Sequence, residues 1–366
     1  MKVREPDFVL FFIAIVILGF GLVMVYSSSS VFSLVWYKDS AYFLKRQLIG
    51  AILGLGALFG AVSFPYEKYR KYIFLSLVGS LVLLVLVLFP GVGKVVGGSR
   101  RWLRFGAFSF QPSELARISL IFYIADYMDR KGKRIRNFVE GLLPVLTIVG
   151  MVFLLILLEP DMGTALSEGV ISGFMILVGG ANLFHLFLLG TISTPVLAWF
   201  IFSEPYRRDR ILTFLNPWKE PLGRGFHIIQ ALIALGSGGL FGVGLGASRQ
   251  KFFYLPGAHT DFILSIIGEE LGFLGILFLF ILFFVLIIRG IRVSLLVPDR
   301  FGSLLAFGLT TKIAVDFFIN VGVNVKVFPV TGLNLPLVSY GGTSLLLTLF
   351  SIGVLLNISR YVEINR

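Results

Sequence analysis

The stretch YLPGAHTDFILSIIGEELG, residues 254–272, places an aspartate at the start of a long apolar run. His259 and Thr260 directly precede Asp261, so three polar side chains meet at one point of the chain. A carboxylate in this position could act as a general base or hold a divalent cation. The alternative is structural, because an aspartate at a helix start also caps free backbone N–H groups.

A second stretch, SRRWLRFGAFSFQPSELAR, covers residues 99–117. Pro112 is typical of the first turn of a helix, and Glu114 and Arg117 are then neighbours at i,i+3 spacing. They predict a self-neutralised structural pair or, alternatively, a charge pair placed beside Asp261. Arg100 and Arg101 precede this helix and suit a contact with phosphate or lipid headgroups.

Lys312, Asp316, Asn320 and Asn324 form a polar stripe at i+4 spacing within another apolar run. Such side chains must face other helices or water rather than lipid. One interpretation is a Lys312–Asp316 pair that pins helices together. The other is a wet path that would serve lipid headgroups.

Three further motifs interrupt the apolar runs. EPDMGTA at 159–165 offers Glu159 and Asp161 as cation ligands or as caps of the next helix. FPVTGLNLPLVSYGGTS at 328–344 is typical of a re-entrant loop packed inside the protein. GSGGLFGVGLG at 236–246 lacks the Lys-Ser/Thr of a phosphate-binding loop, so we expect no ATP site.

The elements that position these residues are membrane-spanning helices. The 366 residues are 57% hydrophobic and only 14% charged, and apolar runs of about 20 residues recur. We predict an all-α polytopic membrane protein, one domain over 1–366. Its ten spans are 8–27, 44–64, 72–90, 112–129, 141–158, 163–180, 184–203, 262–289, 301–323 and 341–359.

The loop charges predict the orientation of the chain. Basic clusters near Arg4 and in 68–71, 130–136, 289–300 and 360–366 fall on one side of the ten spans, which the positive-inside rule makes cytoplasmic, with both termini. The long loop 204–261, between helices 7 and 8, is then extracytoplasmic. The outer loops are basic as well, at Arg100, Arg101, Arg104, Arg210 and Lys251 among others. Their charge fits either anionic headgroups or an anionic substrate.

The chain has no cysteine and only three histidines, His185, His227 and His259. Disulfides, thiol nucleophiles and cysteine-based metal sites are therefore excluded. A histidine-rich metal cage is not expected either.

Five motifs in order resemble the SEDS family (shape, elongation, division and sporulation) of bacterial cell-wall glycosyltransferases. They are GGSRRWLRFGAFSFQPSELA, EPDMGTAL, RRDRILTFLNPW, GSGGLFGVGLGASRQKFFYLPGAHTDFILSIIGEELG and FPVTGLNLPLVSYGGTS. The resemblance covers nearly the whole chain, and the wording around AHTDF is closer to the FtsW-like division and sporulation branch than to the RodA-like elongation branch. It departs from the family pattern at Gly257, Asp316 and Lys326.

The resemblance implies a peptidoglycan glycosyltransferase that polymerises lipid II at the outer face of the bacterial cytoplasmic membrane during division. It implies Asp261 as the catalytic residue and Glu114 and Arg117 as a supporting pair, and its motifs contain His259, Thr260, Ser339 and Gly341 as further site candidates. The implied partners are lipid II, a class B penicillin-binding protein and other division proteins, with no nucleic acid.

An inverting transfer needs one base and no protein nucleophile. Asp261 would take the acceptor proton or hold a divalent cation, Mg²⁺ or Mn²⁺, and no organic cofactor is expected. Arg100, Arg101, Arg210 and Lys251 would bind the substrate pyrophosphate. The alternatives are a lipid II flippase, an elongation-branch polymerase and a scaffold that recruits division proteins.

Overall fold

The computed structural model describes residues 4–96, 99–105, 108–203 and 205–362. Within these ranges the chain forms twelve α-helices: α1 (Phe8–Tyr37), α2 (Tyr42–Ser63), α3 (Ile73–Leu88), α4 (Pro112–Lys131), α5 (Leu143–Leu158), α6 (Met162–Val178), α7 (Leu183–Ser203), α8 (Pro205–Leu215), α9 (Phe226–Ser237), α10 (Ile263–Leu296), α11 (Arg300–Asn324) and α12 (Gly342–Ser359). Short helical turns cover Tyr66–Tyr72, Gly132–Arg136, Phe138–Leu142 and Pro217–Lys219. The motif residues Gly97, Gly98, Gly106 and Ala107 lie outside the described residues.

Ten of these helices occupy the ten predicted spans, which confirms the all-α polytopic class. Among the described residues, seven helical segments are by themselves long and apolar enough to cross a membrane. The other three are α4, which carries six charged residues, α6, which is short, and α7, which contains Pro195. The chain is an integral membrane protein, and α8 and α9 are additional helices within the long loop.

Helices in a bilayer associate mainly through close packing, because lipid tails are as apolar as the helix surfaces. The pair α2 and α12 is an example. A Cβ atom on Gly353 of α12 would meet the carbonyl oxygen of Leu58 at 2.5 Å, and one on Gly54 of α2 would meet the Leu349 side chain at 2.5 Å. Glycine at these two positions therefore lets the helices approach closely, as membrane helices generally do through small residues.

The segment before α4 lies between two predicted spans, where the sequence analysis expected no regular element. It forms a three-stranded antiparallel sheet of β1 (Gly93–Val96), β2 (Ser99–Phe105) and β3 (Phe108–Phe110). Val95 pairs with Arg100 and Lys94 with Trp102, so Arg101 is the extra residue of a β-bulge. A bulge bends the strand locally and changes the directions of its side chains.

The helix α10 is not continuous, although its sequence predicts one span. Gly272 has φ 66° and ψ −165°, a backbone conformation that is accessible essentially to glycine alone. The glycine-rich segment 236–246 fills the break: Val243 and Gly244 donate to the carbonyls of Glu269 and Glu270 at 3.0 Å each. The backbone N–H groups of Phe273 and Leu274 bond back to the same segment. This segment therefore satisfies the polar backbone groups that a helix break leaves in an apolar environment.

Candidate active site

The segment His259–Asp261 is held through its backbone by α11 and by the loop before α12. Asn320 and Asn324 of α11 each donate a side-chain N–H to the carbonyl of Asp261, at 3.0 Å. Ser339 donates to the carbonyl of Thr260 at 2.6 Å, and the backbone N–H of Tyr340 donates to the carbonyl of His259 at 2.9 Å. The position of Asp261 is thus fixed without use of its carboxylate.

The carboxylate of Asp261 lies in a partly exposed position beside Gly332, where a Cβ atom would be 3.9 Å from its Oδ2. Burial by the surrounding protein raises the pKa of Asp261 to about 6, and the charge of Arg210 opposes that shift. α10 begins at Ile263 with Phe262 as its N-cap and without a side-chain cap bond. The helix-cap interpretation of Asp261 therefore has no support in this geometry.

Arg101 braces the turn at residues 159–161. Its Nη1 lies 3.3 Å from Asp161 Oδ2, its Nε donates to the carbonyl of Glu159 at 3.2 Å, and its Nη2 donates to the carbonyl of Pro160. Asp161 in turn caps α6 through the N–H of Thr164. Because three contacts occupy Arg101, it positions this turn near Asp261 more than it offers an open anion site.

Glu159 is fully buried, and neither carboxylate oxygen has a hydrogen-bond partner among the described residues. Burial, and next the charge of Asp161, raises the pKa of Glu159 to about 9. The side chain is therefore a neutral acid at pH 7. It is a poor cation ligand in that form, and the cap predicted for α6 belongs to Asp161.

The predicted pyrophosphate contacts are distributed over several places. Arg210 on α8 is the cation with the largest effect on Asp261. Arg100 lies opposite Val95 in the sheet. Lys251 is buried, with its Nζ 3.0 Å from Glu270 Oε1, and Ser27 of α1 donates to the same carboxylate. The structure does not bring Lys251 to Asp261. Lys251 instead anchors the segment after α9 to α10.

His259 packs among aromatic rings, with its ring centroid 4.4 Å from Phe43 and 5.8 Å from Tyr340. Burial lowers the pKa of His259 to about 4, so it is neutral at pH 7. Gln47 of α2 donates to the carbonyl of Ser339 and accepts from the N–H of Gly341. The four predicted candidates His259, Thr260, Ser339 and Gly341 thus hold the loops around Asp261 in place.

The predicted pair of Glu114 and Arg117 exists, with Nη1 3.0 Å from Oε1, but it belongs to a larger buried cluster. Arg117 also lies 2.5 Å from Asp316 and 3.6 Å from Glu168, and Lys312 lies 3.0 Å from Asp316 and 3.3 Å from Glu114. Three carboxylates and two cations from α4, α6 and α11 therefore share one site within the membrane region. The sequence analysis missed Glu168, because its contact with Arg117 joins α6 to α4 and depends on packing rather than on local spacing.

The polar stripe of α11 has two halves. Lys312 and Asp316 enter the ionic cluster, and Asn320 and Asn324 hold the backbone of Asp261. All four residues are at most 5% exposed. The stripe is thus filled by protein contacts, as the interpretation of a helix-pinning pair requires, and it links the cluster to the aspartate.

In the part of the chain that the structure describes, no three carboxylates or imidazoles converge into a metal site. A divalent cation at Asp261 would need further ligands from substrate phosphates and water. Mg²⁺ is commonly bound in that way, through one or two carboxylates plus phosphate oxygens.

Comparison with known proteins gives consistent matches over the full length. Residues 8–364 match the family described as "Cell cycle protein", which includes FtsW, RodA and SpoVE. The chain is 48% identical to stage V sporulation protein E of Bacillus subtilis over 98% of both chains. It is 43% identical to the probable peptidoglycan glycosyltransferase FtsW of Geobacter sulfurreducens, over 98% of this chain and 96% of that one.

Two solved structures share the fold. A chain of a peptidoglycan synthase complex that coordinates polymerization and crosslinking superposes with a TM-score of 0.80 at 30% identity, over 98% of this chain and 99% of that one. The crystal structure of the rod shape determining protein RodA of Thermus thermophilus gives a TM-score of 0.72 at 29% identity, over 98% of both chains.

Proposed function

The chain belongs to the FtsW, RodA and SpoVE family, and from that premise we propose that it is a peptidoglycan glycosyltransferase that polymerises lipid II. Relatives that carry this activity in their name are 43% identical over almost the whole chain. The site offers what the reaction needs, one carboxylate that is held in place by its backbone and lies within the electrostatic influence of Arg210 and Arg101.

In the proposed reaction the sugar 4-hydroxyl of the acceptor attacks the anomeric carbon of the donor. The new C–O bond forms as the bond to the donor pyrophosphate breaks, and the pyrophosphate leaves with the electron pair. Asp261 takes the hydroxyl proton, and a pKa of about 6 leaves it mostly ionised, yet basic, at neutral pH. One displacement inverts the anomeric centre and needs no second carboxylate as nucleophile.

Arg210 is placed to stabilise the charge that develops on the leaving pyrophosphate, since it is the strongest cationic influence on Asp261. A divalent cation held by Asp261 and the phosphates would supply the same stabilisation. The alternative role of Asp261 as a metal ligand is therefore retained in the proposal.

Sequence identity favours the division and sporulation branch, because the sporulation and FtsW relatives match at 48% and 43% and RodA of T. thermophilus at 29%. We place both termini in the cytoplasm and Asp261 outside, on the basis of the loop charges. The similar synthase complex supports a class B penicillin-binding protein as partner.

The test is polymerisation of purified lipid II by the detergent-solubilised protein with its transpeptidase partner, with products resolved on a glycan gel. Wild type should give a ladder, and Asp261→Asn should lower the rate by about 10²–10⁴. The fold should survive because the bonds that hold residue 261 come from its carbonyl.

Asp39→Asn is the matched control, an exposed aspartate whose carboxylate contacts Lys45 and the backbone of Ala41. It should polymerise as wild type does. Equal ladders from Asp261→Asn and wild type would reject Asp261 as base or ligand, and no ladder from wild type would reject the enzyme itself.

A further inference from the structure

A cavity of about 600 Å³ lies between α8, α9 and the loop before α12. Its polar lining consists of Asp209, Arg210, Thr213, Arg224 and His227. The volume is within the range of about 300–1,000 Å³ typical of ligand sites. Two arginines against one aspartate leave an excess of positive charge, which favours an anionic ligand.

The cavity adjoins the candidate active site. Arg210 both lines the cavity and acts on the Asp261 carboxylate. The His227 ring lies parallel to that of Phe262, the residue after Asp261, at 6.5 Å between centroids. Val330, also in the lining, is two residues from Gly332, which lies beside Asp261 Oδ2. A ligand in the cavity can therefore extend to the aspartate.

Joining two lipid-linked saccharides brings two pyrophosphates to the protein at once. The donor pyrophosphate leaves the reacting carbon on the side opposite the hydroxyl that Asp261 deprotonates, so it lies near the reacting centre. The acceptor pyrophosphate is separated from the reacting hydroxyl by the length of its disaccharide. Two anion-binding places are needed, one near Asp261 and one farther away.

The arginines divide in the same way. Arg210 also lines a small second cavity formed in part by Pro160, Gly163 and Thr331, next to the turn that Arg101 braces. Arg224 lines the larger cavity but not the smaller one, and its Nη1 is paired with Asp209. An arginine has five N–H donors, so this pair leaves donors for a phosphate.

We propose that this cavity binds the pyrophosphate-linked saccharide of the acceptor, with Arg224 as the phosphate ligand and His227 and Thr213 as hydrogen-bonding groups. The proposal rests on the proposed function. It makes Arg224 a binding residue and leaves the leaving group to Arg210.

The test compares Arg224→Ala with Asp209→Asn in the lipid II polymerisation assay. Both variants break the same ion pair, but only the first removes the cation. Arg224→Ala should raise the half-maximal lipid II concentration about tenfold with little change in maximal rate. Asp209→Asn should lower it, because a carboxylate that repels the phosphates is gone. Arg224→Lys should restore part of the affinity.

Inorganic pyrophosphate serves as a second probe, because the concentration at which it inhibits reports anion binding rather than the reaction rate of the variant. Its inhibition of wild type should weaken about tenfold in Arg224→Ala. Equal increases in half-maximal concentration for Arg224→Ala and Asp209→Asn would overturn the proposal, because the ion pair would then be structural. An unchanged half-maximal lipid II concentration in Arg224→Ala would also overturn the acceptor-site proposal, while the polymerase assignment would stand. Only a wild type that gives no ladder would overturn both the acceptor site and the polymerase assignment.

Discussion

At the scale of single residues, the backbone of Asp261 fixes its position, and its carboxylate is the group proposed to react. Side chains of α11 and the loop before α12 hold its backbone, so its carboxylate makes no structural bond with them. Burial by protein then raises its pKa to about 6. A base whose pKa lies near the working pH combines a large ionised fraction with useful basicity.

This pKa predicts the pH dependence of polymerisation. The base is active only when it is ionised, and a pKa raised to about 6 means that protonation sets in below pH 6. The rate at low lipid II concentration should therefore fall with decreasing pH around a midpoint near 6 and lose about tenfold per unit below it. Initial rates from pH 4.5 to 8 measure this, and a flat profile down to pH 5 would contradict the pKa of Asp261.

At the scale of elements, α11 connects the ionic cluster to the aspartate. Its middle turns supply Lys312 and Asp316 to the cluster, and its last turns supply Asn320 and Asn324, which bind the carbonyl of Asp261. The cluster contains three carboxylates and two cations, an excess of one negative charge if all are ionised. Charge balance should therefore decide which substitutions it tolerates.

Asp316→Asn leaves two carboxylates with two cations, whereas Lys312→Met leaves three carboxylates with one cation. Removing one partner of a buried pair costs about 3–5 kcal/mol. We expect Lys312→Met to approach that cost and Asp316→Asn to cost less. Melting temperatures of the purified variants in one detergent give the order, and a more severe Asp316→Asn would show that the direct bond to Arg117 outweighs the balance of charge.

The break in α10 predicts a second effect at this scale. Gly272→Ala places a Cβ on a residue at φ 66°, with Leu240 and Gly242 backbone atoms in the way, and should destabilise the protein by at least about 1–3 kcal/mol. Gly79→Ala is the matched control, since Gly79 is helical in α3 with open space around its Cβ position. It should be neutral or stabilising. A melting temperature unchanged by Gly272→Ala would argue that α10 is continuous.

At the scale of the whole molecule, the proposed orientation puts a basic surface on both sides of the membrane. The chain has no cysteine, so single cysteines report accessibility without background. Trp218→Cys, in the exposed part of the long loop, should react in intact cells with a thiol reagent that does not cross membranes. Arg134→Cys, between α4 and α5, should react only after permeabilisation. The reverse pattern would invert the topology and move Asp261 to the cytoplasm.

The sequence determined the helices and the identity of the main residues. Apolar runs predicted the positions of ten helices, and seven of the described helical segments are long and apolar enough by local composition alone to cross a bilayer. The pairs Glu114–Arg117 and Lys312–Asp316 were predictable for the same reason, since i,i+3 and i,i+4 neighbours meet on any helix. Asp261 stood out because a carboxylate beside an apolar run needs a function or a partner.

The tertiary structure decided which of these residues meet. Arg101, at the β-bulge, contacts the 159–161 turn, Lys251 is buried against Glu270, and one cluster unites the two predicted pairs with Glu168. Nor did local composition predict the break at Gly272, because its polar backbone groups are satisfied by a segment about 30 residues earlier in the chain. Contacts between distant segments depend on packing, bulges and backbone bonds that no local pattern contains. The position of Asp261 beside an apolar run thus identified it in the sequence, and only the packed helices and loops showed that its backbone carbonyl, rather than its carboxylate, is bound by α11.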